Sequence, residues 1–306
     1  MAWEKLGQIW LPDGRQPWAL HSFMTPVPVR IDEGRIRLYG GMRDEKGVSR
    51  IGWIDVREED PTQLIGVCAK PALDIGEAGM FDDNGIILGD VLRLPDGHLR
   101  MYYVGFQIPA KAKFMAFTGA AESRDGGNTF ARVQPTPILD RAPQALFINA
   151  LHSIIPYLEG YRAWISCGRG WQHLDGKQFP RYDSWMIDSP DGLNFNMSTA
   201  RLIVTPASNE YRIGRPRGNR AGSGYELRVT SDTIDKQYAS FLYLSEDGEC
   251  WTRSNTTELP RGRVGAWDAE MTCYPALYEA NGHRFLFYNG NNMGESGVGV
   301  ARWALS

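Results

Sequence analysis

The chain of 306 residues has little of what marks several large protein classes. Its four cysteines, Cys68, Cys167, Cys250 and Cys273, form neither a C-x-x-C pair nor a metal-ligand spacing, which excludes a disulfide framework and a zinc ribbon and reads as buried reduced thiols. Its five histidines show no H-x-x-x-H or mixed spacing, so no metal centre is expected, although an axial calcium ion or a water-filled cavity stays open as an alternative. No G-x-G-x-x-G opens a helix, and no nucleotide or other cofactor is expected. A formal charge of −3 leaves no basic footprint for nucleic acid or an anionic membrane. No apolar run approaches the roughly 18 residues of a membrane helix, and the opening MAWEKLGQIW has no basic region followed by an apolar stretch. The expectation is a soluble, cytoplasmic protein.

What the chain has is glycine and aromatics: Gly 34, Trp 10, Tyr 13 and Phe 12, a mixture that suits short strands joined by tight turns. It also repeats itself. A small or polar residue followed by an apolar strand recurs near Pro26, Asp90, Ser153, Pro216 and Pro275, at spacings of 64, 63, 63 and 59 residues. Each unit then passes a turn (residues 32–34, 95–97, 159–160, 222–224 and 281–282) into a second alternating strand: RIRLYGG, HLRMYYVG, YRAWIS, YELRVT and HRFLFYNG. Third strands follow as SRIGWIDV, AFTGAAES, YDSWMIDS, YASFLYLS and GVGVARWA.

Three third strands end in one turn motif, with Ser123 and Asp125, Ser189 and Asp191, and Ser245 and Asp247, each Asp being followed by glycine. The Ser and Asp side chains accept backbone N–H bonds while the glycine takes positive φ, so these acids are turn staples. An aromatic residue then opens a fourth strand at Phe130, Phe195 and Trp251. The fifth unit stops after its third strand, and the segment Trp3–Leu11 has the length and pattern to supply the missing edge. These features predict an all-β fold. It is a single five-bladed β-propeller over residues 1–306, built of four-stranded antiparallel blades with the last closed by the N-terminal strand.

In such a ring the loops entering the first strands and the links from second to third strands open at the same end. They carry His21, Asp82, Asp83, His152, Glu210, Arg215, Trp267, Asp268, Glu270 and Tyr274 on one set, and Arg43, Asp44, Arg169, Trp171, Asn289 and Asn291 on the other. Aromatic faces stack on sugars, amides and arginine forks bond hydroxyls and anions, and paired carboxylates protonate a leaving oxygen and activate a nucleophile. Carbohydrate is therefore the expected substrate, as a small molecule or an oligosaccharide. Asp82 and Asp83 sit together, and Asp268 and Glu270 share a side if their segment is extended. Glu210 is either an acid or the partner of Arg215. His21 and His152 are a base or hydrogen-bond donors at the entrances of first strands. Arg43, Arg169 and Arg215 suit an anionic substituent on the sugar, and Trp171 and Trp267 suit stacking platforms.

The Phe81-Asp82-Asp83-Asn84-Gly85 loop, the Ser-x-Asp-Gly turns, the Arg215-Pro216 pair and the Trp267-Asp268-Ala-Glu270…Tyr274-Pro275…Tyr288-Asn289-Gly290-Asn291 ending resemble the five-bladed β-propeller glycosidase superfamily. That superfamily contains the family 43, 32, 62 and 130 glycoside hydrolases and phosphorylases. The chain is most similar to a bacterial subgroup of glycosidase-like proteins in surface-polysaccharide and modified-sugar pathways. The resemblance implies an active site in the axial funnel with three acids from different blades. Where family 43 and 32 enzymes place an Asp on the first inner strand, this chain has His21-Ser22-Phe23-Met24-Thr25-Pro26, and Asp44 is the nearest acid. The expected activity is cleavage or transfer of a glycosidic linkage, with Glu270 or Glu210 as acid and Asp83 or Asp268 as base or nucleophile, and with His21 assisting. Two other readings stand beside it. One is a lyase, isomerase or group transferase acting on a modified sugar or small polar metabolite; the other is a glycan-binding module without catalysis.

Overall fold

The structure, a computed structural model, describes residues 2–174, 176–233, 238–255 and 257–304. The strands are β1 (Ala2–Trp10); β2 (His21–Asp32), β3 (Arg35–Arg43), β4 (Ser49–Arg57) and β5 (Leu64–Val67); β6 (Ile86–Arg93), β7 (Leu99–Gln107), β8 (Met115–Ser123) and β9 (Ala131–Arg132); β10 (Ile148–Tyr157), β11 (Gly160–Leu174), β12 (Lys177–Ser189) and β13 (Arg201–Val204); β14 (Glu210–Ala221), β15 (Gly224–Thr233), β16 (Tyr238–Ser245) and β17 (Thr252–Arg253); and β18 (Cys273–Ala280), β19 (His283–Asn289) and β20 (Val298–Ala304). Within each group, strands pair antiparallel in chain order, and β1 pairs antiparallel with β20. The β6–β9 and β10–β13 groups are joined into one sheet by a short parallel contact of β8 with β10. First strands touch in sequence: β2 with β6, β6 with β10, β10 with β14, β14 with β18, and β18 with β2.

The alternation seen in the sequence puts the cores between neighbouring sheets. Val27, Tyr39 and Ile51 pack with Leu88, Met101 and Phe117, and Ile36, Leu38 and Ile54 pack on the other side with Phe285, Phe287 and Val300. Trp164 and Met186 meet Ile213, Leu227 and Val229 in the same way. The fourth strands are shorter than their sequence spans suggest. Pro135 and Pro137 lack the N–H that would extend β9, and Asn196 caps a 3-10 turn at Met197–Thr199 that delays β13 to Arg201.

At the end of the sheets away from the long loops, the second strands share a device. Arg37, Arg100 and Arg162 lie directly across from Asp55, Glu122 and Asp188 of the third strands and pair with them at 2.7, 2.8 and 2.8 Å. Each arginine also reaches the Ser-x-Asp-Gly turn region of the next unit, through Asn128, the Asp191 carbonyl and Glu249. In those turns Ser123, Ser189 and Ser245 accept the N–H groups of Gly127, Gly192 and Gly248, while Asp125, Asp191 and Asp247 accept those of residues two to four further on.

Arg37 and Asp55 are both nearly inaccessible, whereas Arg302 and Glu4 pair at 2.9 Å with half of each side chain in water. Asp55 also holds Arg35, whereas Arg37 has no other carboxylate partner among the described residues, so Asp55→Leu strands a buried guanidinium and is expected to cost about 3–5 kcal/mol in urea unfolding. Arg302→Met should cost about 1 kcal/mol or less; equal losses for the two would contradict this account.

The three turn aspartates sit at about 2. For Asp125 and Asp191 partial burial opposes the charge and is outweighed by the hydrogen bonds, and for Asp247 the backbone N–H bonds of Cys250 and Glu249 lead. A depressed carboxylate stabilises the fold above its unfolded value of about 3.9 and loses that contribution as pH falls toward the folded value. The urea midpoint should therefore drop between pH 4 and pH 2, and the triple variant Asp125→Asn, Asp191→Asn, Asp247→Asn should flatten that drop.

Candidate active site

Every first strand breaks its ladder at the same height. The pairing shifts between Met24 and Val27, Leu88 and Asp90, Leu151 and Ser153, Gly214 and Arg217, and Cys273 and Ala276. The residues thrown out of register are Thr25-Pro26, Gly89, His152, Arg215-Pro216 and Tyr274-Pro275. Proline has no N–H to offer a ladder, so it fits at a bulge and marks three of the five. Thr25, Arg215 and Tyr274 take positive φ of 56°, 54° and 55°. The left-handed turn re-aims each side chain, and Thr25, His152, Arg215 and Tyr274 all line one cavity of about 650 Å³.

Side chains from neighbouring strands satisfy the broken backbone. Asn289 accepts the Thr25 N–H at 2.7 Å and donates to the carbonyls of Phe23 and Gly297, and Thr230 accepts the Tyr274 N–H at 2.9 Å. Arg217 donates to the carbonyls of Gly89 and His152 and to Asp90, and Ser153 accepts the Gly218 N–H while donating to the Pro216 carbonyl. Any side chain at position 89 would meet the Leu151 carbonyl at 2.3 Å, which is why that bulge is a glycine.

The cavity is strongly cationic and rich in tyrosine. Arg43, Lys113, Arg212 and Arg215 line it with Tyr182, Tyr211, Tyr238 and Tyr274, and Asp232 is the one carboxylate among the described lining residues. Arg215 is 7 % exposed and spends one nitrogen on the Leu88 carbonyl at 2.8 Å, leaving Nε and Nη1 without partners. Burial, with the neighbouring Arg217 guanidinium, brings Arg215 down to about 9, still charged at neutral pH. His152 is buried beside it with Nδ1 unpartnered; burial, reinforced by Arg215 and Arg217, drives it well below the ordinary histidine value and keeps the ring neutral. Burial holds the phenols of Tyr182, Tyr238 and Tyr274 protonated. Asp232 gives Oδ2 to Arg212 and to the Tyr211 hydroxyl, while its buried Oδ1 has no partner.

Of the residues singled out in the sequence, Arg43, His152, Arg215 and Tyr274 line the cavity. The acids do not. Asp82 is fully buried on Arg132 at 2.7 Å, and Asp83 accepts from the Gly79 N–H and the Asn84 side chain. Glu210 pairs with Arg253 at 3.0 Å and accepts the Ala207 N–H, so the partner considered for it, Arg215, is not its partner. Asp268 holds Lys5 and the Tyr288 hydroxyl. Its segment forms turns rather than an extended strand, so the shared side expected for Asp268 and Glu270 does not arise; Glu270 is exposed. Asp44 staples its own loop through the N–H groups of Lys46 and Val48 and pairs with Arg50.

The remaining candidates do not line the cavity. His21 contacts the Ser22 hydroxyl, and Arg169, half exposed, pairs with Asp183. Trp171 packs against Phe114 and Phe147, and Trp267 lies on Tyr288. Asn289 is the scaffold of the Thr25 bulge, and Asn291 accepts the N–H groups of Glu270 and Met271. Asp232 went unread although it is the last residue but one of the fourth unit's second strand, close to the topological position that singled out Arg43. Among the described residues no group of three or more His, Cys, Asp or Glu is arranged to hold a metal ion.

No family model matches the chain. It is 28% identical over 301 residues to an uncharacterized protein of Mycobacterium tuberculosis strain H37Rv, a match covering 98% of this chain and 99% of that one. Among solved structures it is similar to a protein of the GH130 family of mannoside phosphorylases, a family containing glycoside hydrolases that target beta-1,2 mannosidic linkages in Candida mannan (TM-score 0.73, 14% identity, 99% of this chain and 93% of that one). It is likewise similar to a glycosyl hydrolase from Bacteroides ovatus (TM-score 0.72, 15% identity, 99% and 94%) and to a thermostable family-43 glycoside hydrolase (TM-score 0.68, 12% identity, 95% and 92%). The chain thus has the β-propeller fold of these glycoside hydrolases.

Proposed function

We propose that this protein is a carbohydrate-active enzyme, a five-bladed propeller closed by β1, that acts on an anionic sugar or oligosaccharide in the cavity on its axis. The observation that carries the reading is Arg215: a buried guanidinium with two nitrogens lacking partners beside a neutral histidine, in a cavity whose described lining residues set four cations against one carboxylate. Desolvated donors of this kind favour a carboxylate, sulfate or phosphate. Arg43, Tyr274 and His152 complete the binding wall. Four cysteines outside any disulfide fit a reducing compartment, and we read the protein as cytoplasmic and as serving polysaccharide metabolism.

Asp232 carries the acid–base work in this reading. Arg212 and Tyr211 occupy Oδ2, leaving Oδ1 to accept a proton or attack a sugar carbon. Asp82, Asp83, Asp268 and Glu210, each engaged with a cation, an amide or a hydroxyl, hold the loops that frame the cavity. Two-carboxylate hydrolysis needs a second carboxyl within about 5–9.5 Å. That Asp232 is the one carboxylate among the described lining residues favours, as a second reading, a lyase, isomerase or group transferase on a modified sugar.

The test is product analysis by NMR on oligosaccharides bearing uronic, sulfated or phosphorylated residues, in water enriched in heavy oxygen. Asp232→Asn should lower kcat/KM by about 100-fold or more. Arg215→Gln should weaken anionic substrates by about 10–100-fold while leaving neutral ones alone. Label in the product supports hydrolysis, and rearranged product without label supports the second reading. Saturable binding with no product from any substrate would reduce the protein to a glycan-binding module, and full activity in Asp232→Asn would remove that residue's role.

A further inference from the structure

The cavity has two unlike walls. The arginines, the tyrosines and Asp232 come from β3, β12, β14, β15, β16 and β18 or their ends. Apart from His152, which lies beside Arg215, and Lys113 ahead of β8, whose ammonium reaches the Phe179 ring, the wall supplied by β6, β7, β8 and β10 is hydrocarbon: Ile87, Val104, Phe106, Ala116, Ile148 and Ala150. These residues form their own apolar cluster, separate from the cores between the sheets, and all of them border the cavity. A sugar placed there would strand hydroxyls against methyl groups, each at the cost of an unmade hydrogen bond. Aliphatic side chains also lack the flat faces on which sugar rings stack.

The hydrocarbon continues outward. Phe106 meets Phe114 with ring centroids 5.4 Å apart, Phe114 meets Trp171 at 5.8 Å, and Trp171 meets Phe147 at 5.2 Å. Ile108 lines the cavity with two thirds of its surface in water, and Leu146, next to Phe147 in the chain, is half exposed. The apolar strip thus runs from the cavity floor across the rim formed by the long β11–β12 hairpin.

Resting on the anionic-sugar reading above, we propose that the substrate is an amphiphilic glycoside. Its anionic sugar lies against Arg215, and an acyl or alkyl substituent lies along the Ile87–Val104–Ile148 wall and leaves over Phe106 and Phe114. Charge complementarity fixes the direction: the anion cannot lie on the hydrocarbon side, and the hydrocarbon has no partner among the guanidinium groups. A volume of about 650 Å³ holds a head of one sugar and a short chain.

Calorimetry on the whole protein with methyl β-glucuronide, butyl β-glucuronide, butyl β-glucoside and hexanoate tests this. Each buried methylene is worth about fourfold in affinity, so butyl glucuronide should bind at least about tenfold tighter than the methyl compound. It should also bind at least about tenfold tighter than butyl glucoside, whose head lacks the charge. Ile87→Asn and, as a variant that fills rather than empties the wall, Ile87→Trp should both collapse the butyl-to-methyl ratio toward one. Arg215→Gln should collapse the ratio of glucuronide to glucoside instead. Equal affinity for the methyl and butyl glucuronides in wild type overturns the proposal while leaving the anionic sugar intact, as does a ratio that survives both Ile87 variants. Hexanoate binding as tightly as butyl glucuronide removes the sugar, and with it the reading on which this rests. No binding of any probe overturns the proposal as well.

Discussion

The organising constraint is the break that each first strand makes at one height. A regular strand between two packed sheets turns its side chains alternately toward one neighbour and the other, and leaves none for the axis. The bulges at Thr25, Gly89, His152, Arg215 and Tyr274 remove that limit. Left-handed backbone at a non-glycine residue costs on the order of 1–3 kcal/mol, and for a β-branched threonine it is a true outlier. Such geometry persists only where the surroundings over-determine it. Asn289, Thr230, Ser153 and Arg217 do so by binding the freed backbone groups, so the same contacts that hold the bulges also fix where the cavity side chains point.

The arginines divide along the axis of the molecule. At one end Arg37, Arg100, Arg162 and Arg228 each face a carboxylate of their own sheet or its neighbour, and their charge is spent on holding sheets together. At the other end Arg215 has one backbone carbonyl and the face of the Tyr274 ring, although only 7 % of it is exposed. Burying an unpaired cation is costly, and the protein gains nothing structural from Nε and Nη1. That contrast within one residue type separates scaffold from site more cleanly than burial or charge alone.

The repeat was legible because its parts are local: an alternating strand, a glycine turn and a Ser-x-Asp-Gly staple each fit within ten residues, and all three staples make the bonds their sequence implies. The bulges were half legible, since Pro26, Pro216 and Pro275 stand where no ladder can run and the residue before each faces the cavity. The acids were not. Asp82, Glu210 and Asp268 are neutralised by Arg132, Arg253 and Lys5, which lie 50, 43 and 263 residues away in the chain, and a partner at that remove leaves no trace in local pattern. The alternation argument for Asp268 and Glu270 assumed a strand where the chain makes turns. Asp232 stayed hidden because Arg212 and Tyr211, which give it meaning, are assembled only by the pairing of β14 with β15.

The pairing of β1 with β20 joins Glu4 to Arg302 across 298 positions of the chain. During synthesis, β1 leaves the ribosome long before its partner exists, and its edge groups stay solvated until nearly everything else has been made. The sheet of β18, β19 and β20 is then completed by a strand made before any of them, a contact of high sequence separation whose loop closure is entropically costly. Removing or displacing β1 accordingly disturbs an integral strand of that sheet, together with Lys5 and its hold on Asp268.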